Sequence, residues 1–257
     1  MNQSWRWAGA CSIGSSHIRS GRECQDRASC LSFAVNGQEF VSAVVSDGAG
    51  TASEGARGAA IVCSSFQRLV TRHLRKCTAF ATMNDGTIAD WMDEIRERIN
   101  VTSARARRRP RDYAATLVAA VIGPESAVIA RVGDGAAVLH SRQTGKWIVP
   151  SWPFHGEYAS TTRFVVDDPQ ATTNLVYLEE VFDRFAVFSD GIERLVLDYR
   201  EALASADLFD GFVAPLVNSE RAGRDREFSR TLHTYLGSEK VREATDDDTS
   251  LILGART

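Results

Sequence analysis

Twice in this chain an apolar run ends in Ser-Asp-Gly and a helical pattern opens shortly afterwards. Phe40 to Gly48 reads FVSAVVSDG and Phe185 to Gly191 reads FAVFSDG. Runs rich in Val and Phe, bounded by Gly and Asp, read as buried strands. A carboxylate at the end of such a strand is held on rigid backbone, and burying it is costly unless a partner compensates its charge. One Asp-Gly is ordinarily a turn; the same form after two apolar strands asks for partners. The chain supplies them: ARVGDG places Asp134 after a third strand, CQD places Asp26 before another, and ATDDDTSLIL places Asp246, Asp247 and Asp248 before the last. Acids gathered at strand ends, with no clustered His or Cys, suit hard oxygen-seeking ions such as Mg²⁺ or Mn²⁺. Zinc would call for nitrogen or sulfur, and no loop has the alternating ligands of a calcium-binding EF-hand.

The strand-like runs are Trp5–Ile13, Ala28–Val35, Phe40–Ser46, Thr116–Ile122, Ala127–Val132, Ala136–His140, Arg184–Phe188 and Thr249–Leu253. Apolar residues at helical spacing predict a helix from Ala52 to about Arg75, started by a Thr51/Glu54 capping box, and another from Ile88 to about Ala106. A third is expected from Ala214 to Leu236. Strands thus come in groups separated by helix pairs, which favours antiparallel sheets with helices outside over a doubly wound parallel sheet. No repeat or linker divides the chain, so 1–257 reads as one domain.

The net charge of −3 gives no reason to expect nucleic acid or an anionic membrane as partner. The five cysteines form no C-x-x-C pair, so a disulfide framework and a zinc knuckle are both disfavoured. With no apolar signal core and no membrane-length span, the expected home is a reducing cytoplasm. RARRRPR, Arg105 to Arg111, is a local exception to the acidic balance. It reads as the solvated end of a helix stopped by Pro110, the other reading being a docking surface for an acidic partner.

Taken in order, these motifs resemble the metal-dependent protein phosphatases, the type 2C serine/threonine phosphatases, and the opening GSSHIRSGRECQD and DGAGTASEGA look most like a bacterial branch. CQD resembles the first acidic motif, SDGAG the central Asp-Gly-x-Gly, and AATLVAAVI the Gly-Thr-Thr strand. VGDGAAVL is like Gly-Asp-Ser-Arg, FSDGIERL like Ser-Asp-Gly-Leu, and DDDTSLIL like the closing Asp-Asn-x-Thr strand. None is specific alone; their shared order over nearly the whole chain is.

The resemblance implies an α+β fold, a four-layer αββα sandwich of two antiparallel β-sheets flanked by pairs of helices. It implies hydrolysis of phosphoserine and phosphothreonine on proteins by water activated between two Mn²⁺ or Mg²⁺ ions, with a weaker third ion in some members. Asp26, Asp47 and Asp190 are then the catalytic acids. The metal ligands are Asp47, the Gly48 carbonyl, Asp134, Asp190 and, counting back from Thr249, Asp246, with Asp247 one residue away. A phosphorylated protein, a cognate kinase or its targets, is the implied partner. The rival class is a phosphatase-like regulatory or binding module without turnover, against which the retained acids argue.

Three positions depart from the family pattern. Ala49 stands where many members have a histidine, Gly135-Ala136 replaces Ser-Arg, and Gly21 occupies the place of the phosphate-binding arginine. Either a neighbour, Arg19 or Arg22, then meets the phosphate, or the metals act alone. An extended Ser16–Gly21 would put Arg19 on the right face, whereas a turn at Gly21 would bring in Arg22, the nearer to Asp26 and the favoured choice. His17 reads as a structural hydrogen-bonding histidine. The Pro-containing stretch Trp147–Thr173 reads as a substrate-selecting loop.

Overall fold

The computed structural model describes residues 4–77, 82–153, 162–167 and 173–256. In chain order these form β1 (Arg6–Ser12), α1 (Ser15–Ser20), β2 (Arg27–Val35), β3 (Gln38–Ser46), α2 (Gly55–Lys76), α3 (Asp85–Arg105) and a 3-10 turn, Pro110–Tyr113. There follow β4 (Leu117–Ile122), β5 (Ala127–Val132), β6 (Ala136–Ser141), β7 (Trp147–Ile148), β8 (Asn174–Leu178), β9 (Phe182–Phe188) and α4 (Asp190–Val196). The chain closes with β10 (Leu197–Asp198), β11 (Leu203–Ala204), α5 (Ala206–Val217), β12 (Gly223–Arg224), α6 (Arg226–Leu236), α7 (Glu239–Ala244) and β13 (Thr249–Ala255).

Two large sheets result among the described residues, ordered β2-β3-β4-β5-β8 and β12-β1-β13-β9-β6-β7, beside a small β10-β11 ribbon. Every pairing in them is antiparallel except β1 with the short β12. The β2–β3 hairpin closes through Asn36 and Gly37 at φ 52° and 76°, the two left-handed residues a tight hairpin needs.

Side-chain alternation divides the interior into three apolar layers. In β4, Leu117, Ala119 and Val121 face α2 and α3, while Val118, Ala120 and Ile122 face the other sheet. In β9, Phe185 and Val187 join that middle layer, while Ala186 and Phe188 pack with Phe209 and Val213 of α5 and Leu232 of α6. The order is helices, sheet, sheet, helices: the expected αββα sandwich, its middle layer locking one sheet to the other.

Two local expectations fail. The capping box at Thr51/Glu54 does not form, because the Glu54 N–H donates instead to the Asp112 carbonyl at 2.8 Å and α2 starts at Gly55. The single helix expected from Ala214 to Leu236 is two, α5 and α6, parted where β12 leaves to pair with β1. Among the described residues, no helix is long and apolar enough to cross a membrane.

Candidate metal centre

Asp47 ends β3 and is held on both sides by Thr116. The Asp47 N–H donates to Thr116 Oγ1 at 3.0 Å, and the Thr116 N–H donates to the Asp47 carbonyl at 2.8 Å. Ser46, the serine of the first Ser-Asp-Gly, donates to the Thr116 carbonyl at 2.6 Å. Gly48 follows where the chain touches the start of α2: a Cβ there would lie 2.5 Å from the Gly55 carbonyl oxygen, so only glycine fits.

Asp134 sits between Gly133 and Gly135, at φ 89° and 84°, on the tight link that carries the chain from β5 in one sheet to β6 in the other. Asp190 opens α4 directly after β9. Carboxylate oxygens of Asp47, Asp134 and Asp190 all lie within 4.8 Å of one another. Asp26, buried just before β2, accepts from Ser189 Oγ at 2.7 Å and from Ser250 Oγ. The serine of the second Ser-Asp-Gly therefore orients the first motif's acid.

Like charges taken out of water disfavour ionisation. Burial, then the charges of Asp26 and Asp190, push the Asp47 carboxyl well above the usual range. Burial, then Asp134 and Asp247, push Asp190 up to about 8. Burial raises Asp26 to about 6 against the pull of its serine hydrogen bonds. One helical turn beyond Asp190, the buried Glu193 is raised to about 7 by burial and by Asp134. Asp190 Oδ1 is buried without a hydrogen-bond partner among the described residues. Oxygen-only donors, short of compensating charge, fit a hard divalent cation.

The three closing aspartates separate. Asp246 has a 70% exposed side chain and pairs with Arg19 at 3.2 Å, so it is not brought to the cluster. Asp247 is half-buried, and its charge acts on both Asp47 and Asp190. Asp248 is fully enclosed, accepting the N–H groups of Gly14 at 2.7 Å and Gln25 at 2.5 Å and pairing with His17 Nδ1 at 2.9 Å. His17 is the structural histidine expected. Residues 15–20 are helical, not extended, and Gly21 ends α1 in a left-handed turn at φ 67°. That turn brings Arg22 onto the central loop, where its Nη1 donates to the Gly50 carbonyl at 2.6 Å. Arg19 is held instead by Ser15 and Asp246.

Ala49 is buried with Ala52 and Ala114 under Phe164 and Val166. Beside the acids, a cleft of about 500 Å³ is lined by Asp190, Glu193, Arg194, Arg242 and Asp247. Of the proposed substrate-selecting stretch, residues 154–161 and 168–172 lie outside the described residues. Within the rest, Thr162 donates to Asp134 Oδ2 at 2.7 Å.

A family model described as protein phosphatase 2C matches residues 13–237. The chain belongs to the protein phosphatase 2C family. It is 29% identical to serine/threonine-protein phosphatase 3 of Escherichia coli (strain K12), the alignment covering 97% of this chain and 98% of the relative. By homology this 2C protein is a serine/threonine phosphatase. Its fold matches serine/threonine phosphatase Stp1 from Staphylococcus aureus with a TM-score of 0.62 at 15% identity, over 97% of this chain and 94% of that one. It also matches the catalytic domain of the phosphatase PstP, solved with two manganese ions, with a TM-score of 0.59 at 15% identity over 99% of each chain.

The sequence left two features unread. Glu193 lies three residues after Asp190, the spacing that puts both on one face of a helix, and this could have marked it. The paired serines Ser189 and Ser250 carry no spacing signal, since they meet only because β9 and β13 are neighbours.

Proposed function

We propose that this protein hydrolyses phosphoserine and phosphothreonine esters on proteins, using two Mn²⁺ or Mg²⁺ ions with room for a weaker third. The convergence of Asp47, Asp134 and Asp190 oxygens within 4.8 Å, from two different sheets, is the observation that carries it. In this reading Asp47, Asp190 and the Gly48 carbonyl hold the main ions, joined by Asp247 in place of Asp246, and Asp134 serves the weaker site. When bound, the ions supply charge that polarises the phosphate and activates water.

The chain's own residues do the rest. Asp26, fixed by Ser189 and Ser250, accepts and orients a proton of the attacking water. Arg22 stands on the Gly50 loop as the cation for the phosphate oxygens. The sheets hold the acids together against their repulsion, so little reorganisation is needed when substrate arrives. The buried Ala49 supplies no proton to the leaving group. Five free cysteines suit a reducing cytoplasm, where a phosphorylated protein such as a kinase or its target is the substrate.

The test is hydrolysis of p-nitrophenyl phosphate and a phosphothreonine peptide with Mn²⁺, with chelator, and in Asp47→Asn and Asp190→Asn. The expected result is metal-dependent turnover that falls by about 10²-fold or more in each variant. A regulatory module without turnover would leave all the arms equally silent while still binding metal.

A further inference from the structure

Although the chain carries a net charge of −3, arginines collect beside the metal centre. Three backbone hydrogen bonds lay the segment following α3 along the loop that follows Asp47. The Thr116 N–H reaches the Asp47 carbonyl at 2.8 Å, the Ala49 N–H reaches the Ala114 carbonyl at 2.9 Å, and the Glu54 N–H reaches the Asp112 carbonyl at 2.8 Å. Immediately upstream, Arg105, Arg107, Arg108, Arg109 and Arg111 are all exposed. Gly48, next to Asp47, packs on Gly55 so closely that an added Cβ would lie 2.5 Å from the Gly55 carbonyl oxygen, which sets Glu54 and the Arg108 that approaches it beside the acid-bearing loop. A bound peptide need extend only a few residues beyond its phosphorylated position to meet this lip.

The lip is only partly neutralised. Arg108 approaches Glu54 at 3.9 Å, Arg109 meets Asp112 at 3.2 Å, and Arg111 pairs with Asp167 while lying over the Phe164 ring. Arg105 and Arg107 have no ionic partner among the described residues. Complementing the carboxyl end of α3 explains a cation in its last turn, but the run continues past the helix into a turn where Arg107 takes a left-handed φ of 54°. Desolvating so many guanidiniums is unfavourable, so they stay in water and act on a partner by attraction rather than by burial.

We propose that Arg105–Arg109 form the docking lip for the polypeptide around the phosphorylated residue, selecting substrates with Asp or Glu within a few positions of it. The inference rests on the phosphatase reading and narrows its substrate class. Such a lip raises the capture rate of acidic segments and loses its effect as salt screens it.

The experiment compares kcat/KM on two phosphothreonine peptides, one flanked by Asp and Glu and one by Ala, with p-nitrophenyl phosphate as a flank-free control. The wild-type protein and an Arg105→Gln/Arg107→Gln/Arg108→Gln variant are both measured with Mn²⁺ at low and high salt. The wild type should prefer the acidic peptide by about 5- to 20-fold at low salt, and the variant should lose that preference while its p-nitrophenyl phosphate turnover stays within about twofold. Equal wild-type kcat/KM on both peptides, with p-nitrophenyl phosphate still hydrolysed, overturns this inference alone. So does a variant that keeps the preference, or one that loses turnover of all three substrates together. Absence of metal-dependent turnover on every substrate by the wild type overturns the phosphatase reading, and this inference with it.

Discussion

Thr116 grips Asp47 from both sides, its hydroxyl taking the Asp47 N–H at 3.0 Å and its own N–H giving to the Asp47 carbonyl at 2.8 Å. One of the three converging carboxylates is thus anchored by an uncharged residue just before the neighbouring strand β4. Residues that orient a metal ligand typically cost 10- to 100-fold in metal affinity when removed. Thr116→Ala should therefore raise the Mn²⁺ concentration for half-maximal activity by about that factor while the metal-saturated kcat falls less, and Thr116→Ser should restore it. An unchanged metal titration in Thr116→Ala would remove Thr116 from this role.

The acids that close the chain offer a sharper choice. Asp247 acts on the cluster and Asp246 faces solvent in an exposed pair with Arg19. Asp247→Asn should weaken Mn²⁺ binding by at least about 10-fold in calorimetry, whereas Asp246→Asn should stay within about twofold, since exposed pairs contribute little. The opposite ranking would restore the assignment reached by counting back from Thr249.

Arg22 and Arg19 separate in the same way. Arg22→Ala should lower kcat/KM on a phosphopeptide by about 10- to 100-fold, the scale of one lost charge-assisted hydrogen bond, and Arg19→Ala by less than about twofold. If neither substitution moves kcat/KM, phosphate is bound without an arginine.

The acid cluster also fixes how the metal-free protein responds to pH. Folding raises Asp26 to about 6, Glu193 to about 7 and Asp190 to about 8. Between their ordinary values near 4 and these raised ones, the folded chain holds more protons than the unfolded chain, so stability is lost as pH rises through that window. In chelator, the melting temperature should drop by at least about 3 °C from pH 5 to pH 8. Mn²⁺ should reverse the drop, most strongly at pH 8, because it replaces the protons. A melting temperature that climbs with pH in chelator would contradict the burial of these acids in like-charged company.

Most of the sheet framework was legible because its central strands are buried on both faces and so read as short continuous apolar runs bounded by Gly and Asp. Every strand-like run read from the sequence lies on an observed strand, to within a residue or two. What the sequence hid depends on contacts between distant segments. Three successive aspartates look alike until β13 pairs with β1, so that the turn before it presents Asp248 to Gly14 and Gln25. The capping box at Thr51 was overruled when the Glu54 N–H went to Asp112, fifty-eight residues beyond Glu54. The Arg19–Arg22 question turned on whether six residues were helical, and a segment shorter than two turns leaves too little periodicity to decide.

The Gly133-Asp134-Gly135 link crosses between the sheets, and Asp47 and Asp190 come from opposite sides of the same divide. The spacing of the acids is therefore a direct readout of how one sheet is seated on the other. A slip of an ångström in that seating would misplace the carboxylates as surely as a substitution among them. Gly254 bears on that seating from within one sheet, since a Cβ there would lie 2.1 Å from the ring of Phe185, its partner across β13 and β9, whose side chain fills the layer between the sheets. Residues that never approach a phosphate thus act as the gauge of the chemistry, and inheritable tuning of rate or metal preference has a route through the interior of the sandwich that leaves its ligands untouched.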